Sequence, residues 1–443
     1  MKGNRGLSFP RKRESRKVSE LNSDTFISEE VIIKMLRFLT AGESHGKGLV
    51  TIIDNFPAGV KIDEDFINDK LRLRQSGYGR GARQKIETDK IEFLSGVRGG
   101  LTTGSPISFF IKNKDYENWR DRMDPYKSVP EESKIHTPRP GHADFAGSIK
   151  FGLDDIRNVL ERSSARETAS RVAVGAICQI LLKNFGIEFA SAVLNIGGVG
   201  VEADEISGEK KKKGSELNSD PFALNLIDLF DEVISRNIKN SELRMLYSEH
   251  EEKAKAFIDK MKAEGDTVGG LITAQVKGVP VGLGSFTQWD EKLDAQIAMS
   301  VMSIQAIKSV EIGAGVKSAY LKGSECHDSI YCGSSGSFYR KTDNAGGIEG
   351  GMSNGEIISV TCAMKPIPTL MKPYLDTVDL NTCEAKKAFL ERSDVCAVPA
   401  ASIVVESAVA FSICYFFLKK FGGDGFAEIK RNYDGYCKNE NKN

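Results

Sequence analysis

Three arginines with serine and threonine crowd the stretch Arg162-Ser163-Ser164-Ala165-Arg166-Glu167-Thr168-Ala169-Ser170-Arg171, and a run of Ala, Val, Gly and Ile follows it to Ile177. The second part reads as a helix with small side chains on most faces, which other elements can enclose on all sides. The first part reads as that helix's entrance, where Ser163 and Ser164 can cap free backbone N–H groups. Those N–H groups, the helix dipole and the arginine forks make a place for phosphate. The bland alternative is surface charge on an ordinary amphipathic helix.

Two histidine loops stand beside it. In Thr40-Ala41-Gly42-Glu43-Ser44-His45-Gly46-Lys47-Gly48 a serine and a histidine sit between glycines at a strand boundary, where side chains often serve ligands. In His136-Thr137-Pro138-Arg139-Pro140-Gly141-His142-Ala143-Asp144 the prolines stiffen the chain and would hold His142 in place, which suits a proton donor. Lys70–Arg83 packs five cationic side chains beside three glycines and could fold over an anion or a nucleic acid. Further on, a glycine loop at 342–355 enters a strand over 357–364 that leads to Lys365-Pro366-Ile367-Pro368-Thr369, adding a phosphate-compatible cation. Arg392-Ser393-Asp394 opens a helical segment, where an Asp most often serves as an N-cap.

These groups need elements to place them. Strands are expected over 36–39, 49–54, 186–201 and 271–276, and helices over 223–264 and 295–308. A polar loop at 206–222 carries Lys210–Lys213. At 443 residues the chain can bury a large core, as one big domain or two to three ordinary ones. Lys+Arg and Asp+Glu both number 61, so no global excess of charge points to nucleic acid. The 43 glycines favour many tight loops. Eight cysteines form no Cys-x-x-Cys pair, which fits reduced thiols in a cytosol better than a disulfide framework or a zinc site; no metal site is expected. The most apolar stretch, 407–418, is short for a membrane span and reads as a buried helix. Residues 1–34 are polar and charged with little apolar periodicity, so they read as a disordered extension without a secretory signal.

Taken together, three signatures resemble the chorismate synthase family: Gly42-Glu43-Ser44-His45-Gly46, Arg162–Ile177, and Arg392-Ser393-Asp394 with the helix after it. The resemblance runs from about Met35 to about Phe421. It implies one domain over 35–421, with 422–443 left as a flexible tail. The implied fold class is α+β, a β-α-β sandwich in which two mostly antiparallel sheets enclose a helical layer. The implied reaction is the last step of the shikimate pathway in aromatic amino acid biosynthesis. It is a 1,4-anti elimination of phosphate from 5-enolpyruvylshikimate 3-phosphate, and it requires reduced FMN without net redox change.

By that resemblance His45 would protonate or stabilise the reduced flavin, His142 would protonate the departing phosphate, and Asp394 would assist transfer at flavin N5. FMN contacts would come from Arg162, Ser163, Ser164, Gln305, Ala306, Gly350, Lys365, Pro366, Ile367, Pro368, Thr369 and Arg392. Ser44, Arg74, Arg80 and Arg166 would meet substrate, with Arg74 and Arg80 at positions linked to NADP contact and Lys70 completing a cationic clamp. NADPH is a possible source of electrons; the absence of an added reductase domain favours an external reductase. Family members are typically cytoplasmic homotetramers, with no nucleic acid or membrane partner implied. The chain departs from the family pattern at Asp343, where Asn is usual, and at Gln305-Ala306, where Asn-Ala is common. The competing readings are an NADPH-consuming flavin oxidoreductase and an RNA-binding protein.

Overall fold

Leu49, Thr51 and Ile53 alternate inward with Val50 and Ile52 outward, the period-2 pattern of a strand buried on one face. That strand is β2 (Gly48–Asp54), preceded by β1 (Arg37–Ala41) and followed by β3 (Glu92–Ser95) and β4 (Ile107–Lys112). They form an antiparallel sheet in the order β1-β2-β4-β3, with Thr40 opposite Thr51 and Thr51 opposite Phe109. The computed structural model describes residues 35–81, 87–201, 228–333, 336, 338–388 and 394–440. The expected polar loop at 206–222 and Arg392 lie outside them.

A second antiparallel sheet has five strands: β5 (Glu188–Ile196), β6 (Val199–Gly200), β7 (Gly270–Lys277), β8 (Ile307–Ile312) and β9 (Ile358–Met364), in the order β8-β9-β7-β5-β6. Ile272, Ala274 and Val276 of β7 are buried, as are Ile358, Val360 and Cys362 of β9.

Helices fill the space between the sheets, so the α+β sandwich is the observed fold. Along the chain come α1 (Glu64–Gln75), α2 (Tyr116–Trp119), α3 (Asp144–Phe151), α4 (Arg157–Ser163) and α5 (Thr168–Lys183). They are followed by α6 (Glu232–Asn240), α7 (Ser248–Glu264), α8 (Leu293–Met302), α9 (Val398–Phe421) and α10 (Phe426–Glu440). Asp63 caps α1 by accepting from Phe66 N at 3.0 Å, and Ile67 and Leu71 are fully buried. Every residue of α5 is buried except Arg171 and Lys183, because its small side chains let α1 and α9 approach it from different sides. The crossing with α9 is tight at Gly175, where a Cβ would lie 2.4 Å from Ser407 Cβ and 2.6 Å from the Ser407 carbonyl. Only glycine fits there. α9 is long and apolar enough to span a membrane, yet 83% of its most apolar window is buried inside the fold, so it packs as a core helix. In its middle, buried Glu406 accepts from Ser191 Oγ at 2.7 Å and Gln179 Nε2 at 3.2 Å and pairs with Lys70.

Three sequence expectations change. The helix expected over 295–308 ends at Met302; Ala306 takes a positive φ of 69° and the chain turns into β8. Within 223–264 the described part is two helices, α6 and α7, not one. The segment after Phe421, expected as a flexible tail, forms α10: Ile429 is fully buried, and the Phe426 and Tyr433 rings pack on Phe185 at 5.8 and 5.0 Å. Phe426, Ile429, Tyr433 and Tyr436 recur at helical spacing, which gives that helix an apolar stripe to bury.

Candidate active site

The turn between β1 and β2 carries His45. Gly42 is needed there, since it adopts φ 111° and a Cβ would lie 2.3 Å from the Gly48 carbonyl. Buried Asn113, just past β4, donates through Nδ2 to the carbonyls of Glu43, Ser44 and Gly46 at 3.1, 3.1 and 2.8 Å, fixing the turn's backbone. Glu161 of α4 grips the histidine itself: Oε2 accepts from His45 N at 2.7 Å and Oε1 meets His45 Nδ1 at 2.8 Å. Burial pushes the Glu161 carboxyl up, but His45 and the guanidinium of Arg157 outweigh it and hold the group below its ordinary value. The Trp119 ring stacks on His45, with centroids 4.0 Å apart.

The arginine-rich entrance to α5 abuts this turn. Ser44 N donates to Glu161 O at 3.0 Å, and Ser164 Oγ donates to Ser44 Oγ at 3.1 Å. Ser164 also caps the 3-10 turn that leads into α5, accepting from Arg166 N at 3.3 Å, as the sequence implied. Ser163 does not cap; its hydroxyl donates to Leu160 O at 3.5 Å. Arg162, exposed, donates to Thr40 O and Oγ1 at 2.9 and 2.8 Å.

Arg74 and Arg166 are buried and share one carboxylate. Asp89 Oδ2 lies 3.2 Å from Arg74 Nη1 and 2.6 Å from Arg166 Nη1. Arg74 also donates to Thr168 Oγ1 at 2.9 Å, and Arg166 Nε to Asn113 Oδ1 at 2.7 Å. These two arginines therefore tie α1, α5 and the His45 turn together. Burial, opposed by Asp89, lowers the Arg74 pKa to about 10, with Arg166, Arg80 and Asp394 close enough to contribute. Arg80 pairs with Asp394 at 2.7 Å, and its buried Nε has no hydrogen-bond partner. Lys70, expected with these cations, points into the core instead and meets Glu406.

His142 is held just as firmly. Its Nδ1 lies 2.5 Å from Asp144 Oδ1, and Arg139 Nη2 lies 3.0 Å from the same nitrogen and 3.1 Å from Nε2. Arg139 Nε donates to Asp144 Oδ2 at 2.8 Å. Burial works against ionisation of Asp144, yet the His142 and Arg139 contacts win and hold its carboxyl well below the usual carboxylate range. The His142 loop docks on the segment after β9. Arg139 Nη1 donates to Thr369 Oγ1 at 3.0 Å and Lys365 Nζ donates to Gly141 O at 2.5 Å. Burial and the neighbouring Lys308 lower the Lys365 pKa.

Glu167 joins the two halves. It accepts from Thr40 Oγ1 at 3.0 Å, Arg171 Nε at 2.9 Å and Gln305 Nε2 at 3.5 Å, while Lys365 N donates to Ala306 O at 2.9 Å. A continuous rim thus runs from Ser44 through Ser164, Glu167, Gln305 and Lys365 to the His142 loop. Gln305 Oε1 on that rim is buried and accepts from nothing. Gly350 stands apart from this network. It lies at the turn between Ile348–Glu349 and Met352–Ser353, next to the start of α8, whereas Gln305 follows the other end of that helix, about 15 Å away.

Sequence reasoning missed Glu161, Trp119, Asn113 and Asp89, which act on the expected residues from far along the chain. Asp144 was legible as His-x-Asp. Among the described residues one other group, Glu131, His136 and Asp154, has metal-ligand spacing. Lys134 Nζ already lies 2.5 Å from Glu131 and 2.7 Å from Asp154, so a cation occupies the space between those carboxylates.

A family model described as chorismate synthase matches residues 36–418. The chorismate synthase of Alkaliphilus metalliredigens is 52% identical over 402 residues, covering 91% of this chain and 99% of the relative. That of Geobacter metallireducens is 50% identical over 410 residues, covering 91% and 98%. A solved structure titled "Crystal Structure of Chorismate Synthase" superposes with a TM-score of 0.71 at 38% identity, covering 92% of this chain and 99% of that one. Fold, histidine–carboxylate pairs and relatives together define the class, an enzyme of the lyase type. The chain belongs to the chorismate synthase family.

Proposed function

We propose that this protein converts 5-enolpyruvylshikimate 3-phosphate to chorismate and phosphate by 1,4-anti elimination, with reduced FMN bound along the rim from Arg162 to Thr369. The observation that carries this reading is the pair of histidines, each fixed on a buried carboxylate, at the two ends of one cation-bearing rim. The residues present fit a flavin: Gln305 Oε1 is a buried acceptor with no donor, and an isoalloxazine ring carries an N–H group to fill it. When bound, the reduced flavin would supply electron density to the substrate as phosphate departs and would take up the hydrogen that no ordinary side-chain base could remove.

The rest is this chain's work. Arg162, Ser163, Ser164, Gln305, Ala306 and Lys365–Thr369 hold the cofactor. Gly350, outside the network within one chain, and Arg392 complete that set by resemblance only. Arg80 and Lys365 stabilise negative charge on the leaving phosphate, and the unpartnered Arg80 Nε is a buried donor suited to an anion. His142, with Nδ1 on Asp144 and Nε2 3.1 Å from Arg139 Nη2, donates a proton to that phosphate. His45 guards the protonation state of the flavin, and Asp394, held by Arg80, assists hydrogen transfer. Ser44, Arg74 and Arg166 shape the substrate side, the two arginines acting through the backbone they anchor. NADPH, directly or through a separate reductase, keeps the flavin reduced.

The resemblance puts the catalytic domain at 35–421, and α10 packs onto it as part of the same compact unit. Eight free cysteines fit a reducing cytoplasm. The exposed Phe286, Trp289, Ile330 and Phe338 offer apolar surface for the subunit contacts of a homotetramer, with light scattering as the check.

Anaerobic turnover of 5-enolpyruvylshikimate 3-phosphate with dithionite-reduced FMN tests the reaction. Equal chorismate and phosphate with no flavin oxidised is the expected result. With NADPH in place of dithionite, NADPH consumed in stoichiometry with product would establish an oxidoreductase instead.

A further inference from the structure

We propose that Glu161 is a positioning residue for His45: it keeps the proton on Nδ1, so that Nε2 is the nitrogen that exchanges a proton with the bound flavin, while Trp119 fixes the ring plane. This rests on the reading above. One carboxylate makes two bonds to one residue, to the main-chain N at 2.7 Å and to the ring at 2.8 Å, and it is itself buried. The main-chain bond alone would suffice to anchor the turn, which Asn113 already secures through three carbonyls. The ring bond therefore has a separate consequence. An ionised carboxylate only accepts, so Nδ1 must be the donor.

Trp119 adds the second constraint. Its ring lies 4.0 Å from the imidazole at an interplanar angle of 27°, which restricts rotation about the bond that Glu161 leaves free. Arg157 braces both partners, with Nη1 3.5 Å from Glu161 Oε1 and its guanidinium carbon 5.1 Å from the Trp119 ring. Among the described residues, the charged groups near His45 include Glu161 and Arg157 from α4, Arg122 at 5.5 Å over Trp119, and Glu43 of its own turn. In the exchange, the imidazolium gives the proton on Nε2 to the ligand and becomes the neutral Nδ1–H tautomer. Glu161 stays a carboxylate throughout.

The test uses the full chain with ¹⁵N-labelled histidine and needs neither substrate nor flavin. At pH 8 the wild type should show His45 with a protonated Nδ1 and a bare Nε2, and Glu161→Gln should redistribute the proton over both nitrogens. In turnover with reduced FMN, Glu161→Gln should lower kcat about tenfold or more with KM little changed. Arg157→Met leaves the carboxylate in place, so it should keep the tautomer. Retention of the wild-type tautomer in Glu161→Gln would overturn the proposal and leave Glu161 as an anchor of the main chain. A wild type that shows the tautomer but turns nothing over would sink the functional reading and not this one.

Discussion

Arg80 Nη1 and Asp394 Oδ2 lie 2.7 Å apart, and Gly81 N donates to Asp394 Oδ1 at 2.6 Å. Together these contacts close the segment after α1 onto the approach to α9. Asp394 is therefore not the N-cap that its place in the sequence suggested; Ala397 holds that position. An amide at 394 can still accept from Gly81 N but carries no charge for Arg80 or for proton transfer. Asp394→Asn should fold normally and lose roughly 10–100-fold in kcat, measured under anaerobic steady-state conditions.

His142 and Asp144 make separable predictions. His142→Ala should cost about 10²–10⁴ in kcat. Asp144→Asn acts on stability as well, because Arg139 and His142 then lose the buried carboxylate they share. A carboxyl whose folded pKa is depressed contributes stability that is present above its unfolded value and lost as pH falls toward the folded one. Urea midpoints taken from pH 6 to pH 3 should fall steeply in the wild type and less steeply in Asp144→Asn.

Asp89 supports two buried guanidinium groups at once. Asp89→Ala should cost about 3–5 kcal/mol, the scale for stranding buried charge. Chemical denaturation reads the loss, and replacing Arg74 by Met in the same chain should recover part of it.

Asp343 runs the other way. Burial raises its carboxyl pKa to about 7, although Gly347 N donates to Oδ1 at 2.8 Å. A raised carboxyl destabilises the fold once pH climbs above the unfolded value near 4, and the loss is complete above about 7. Asn keeps the acceptor and drops the charge. Asp343→Asn should match the wild type at pH 4 and exceed it by roughly 1–3 kcal/mol at pH 8, after allowance for solvent screening. Thermal melts at both values decide it.

The site was legible where chemistry is local. Gly42–Gly48, His136–Asp144 and the small-residue helix after Arg162 announced themselves by residue type and spacing. What the sequence hid is pairing across the fold. Nothing near Glu161 in the chain points to His45, and nothing near Asp89 shows that it engages Arg74 and Arg166 before any ligand does. Such contacts exist only once both sheets close on the helices, so residue-by-residue reading ran the arginines forward as free clamps. The α10 helix is legible in the spacing of Phe426, Ile429, Tyr433 and Tyr436, beyond the stretch that the resemblance covers.

The last helices bear on how the molecule comes off the ribosome. β1 and β2 are made early, but the layer beneath them is completed by α9, and Ala58 is pinned by Asp424 O at 2.9 Å and by Phe426 N at 2.8 Å. The helical layer between the sheets is therefore complete only when nearly the whole chain has been synthesised. Long-range closure of this kind is slow, and a nascent chain stalled before α9 is a substrate for chaperones and proteases instead of a smaller enzyme.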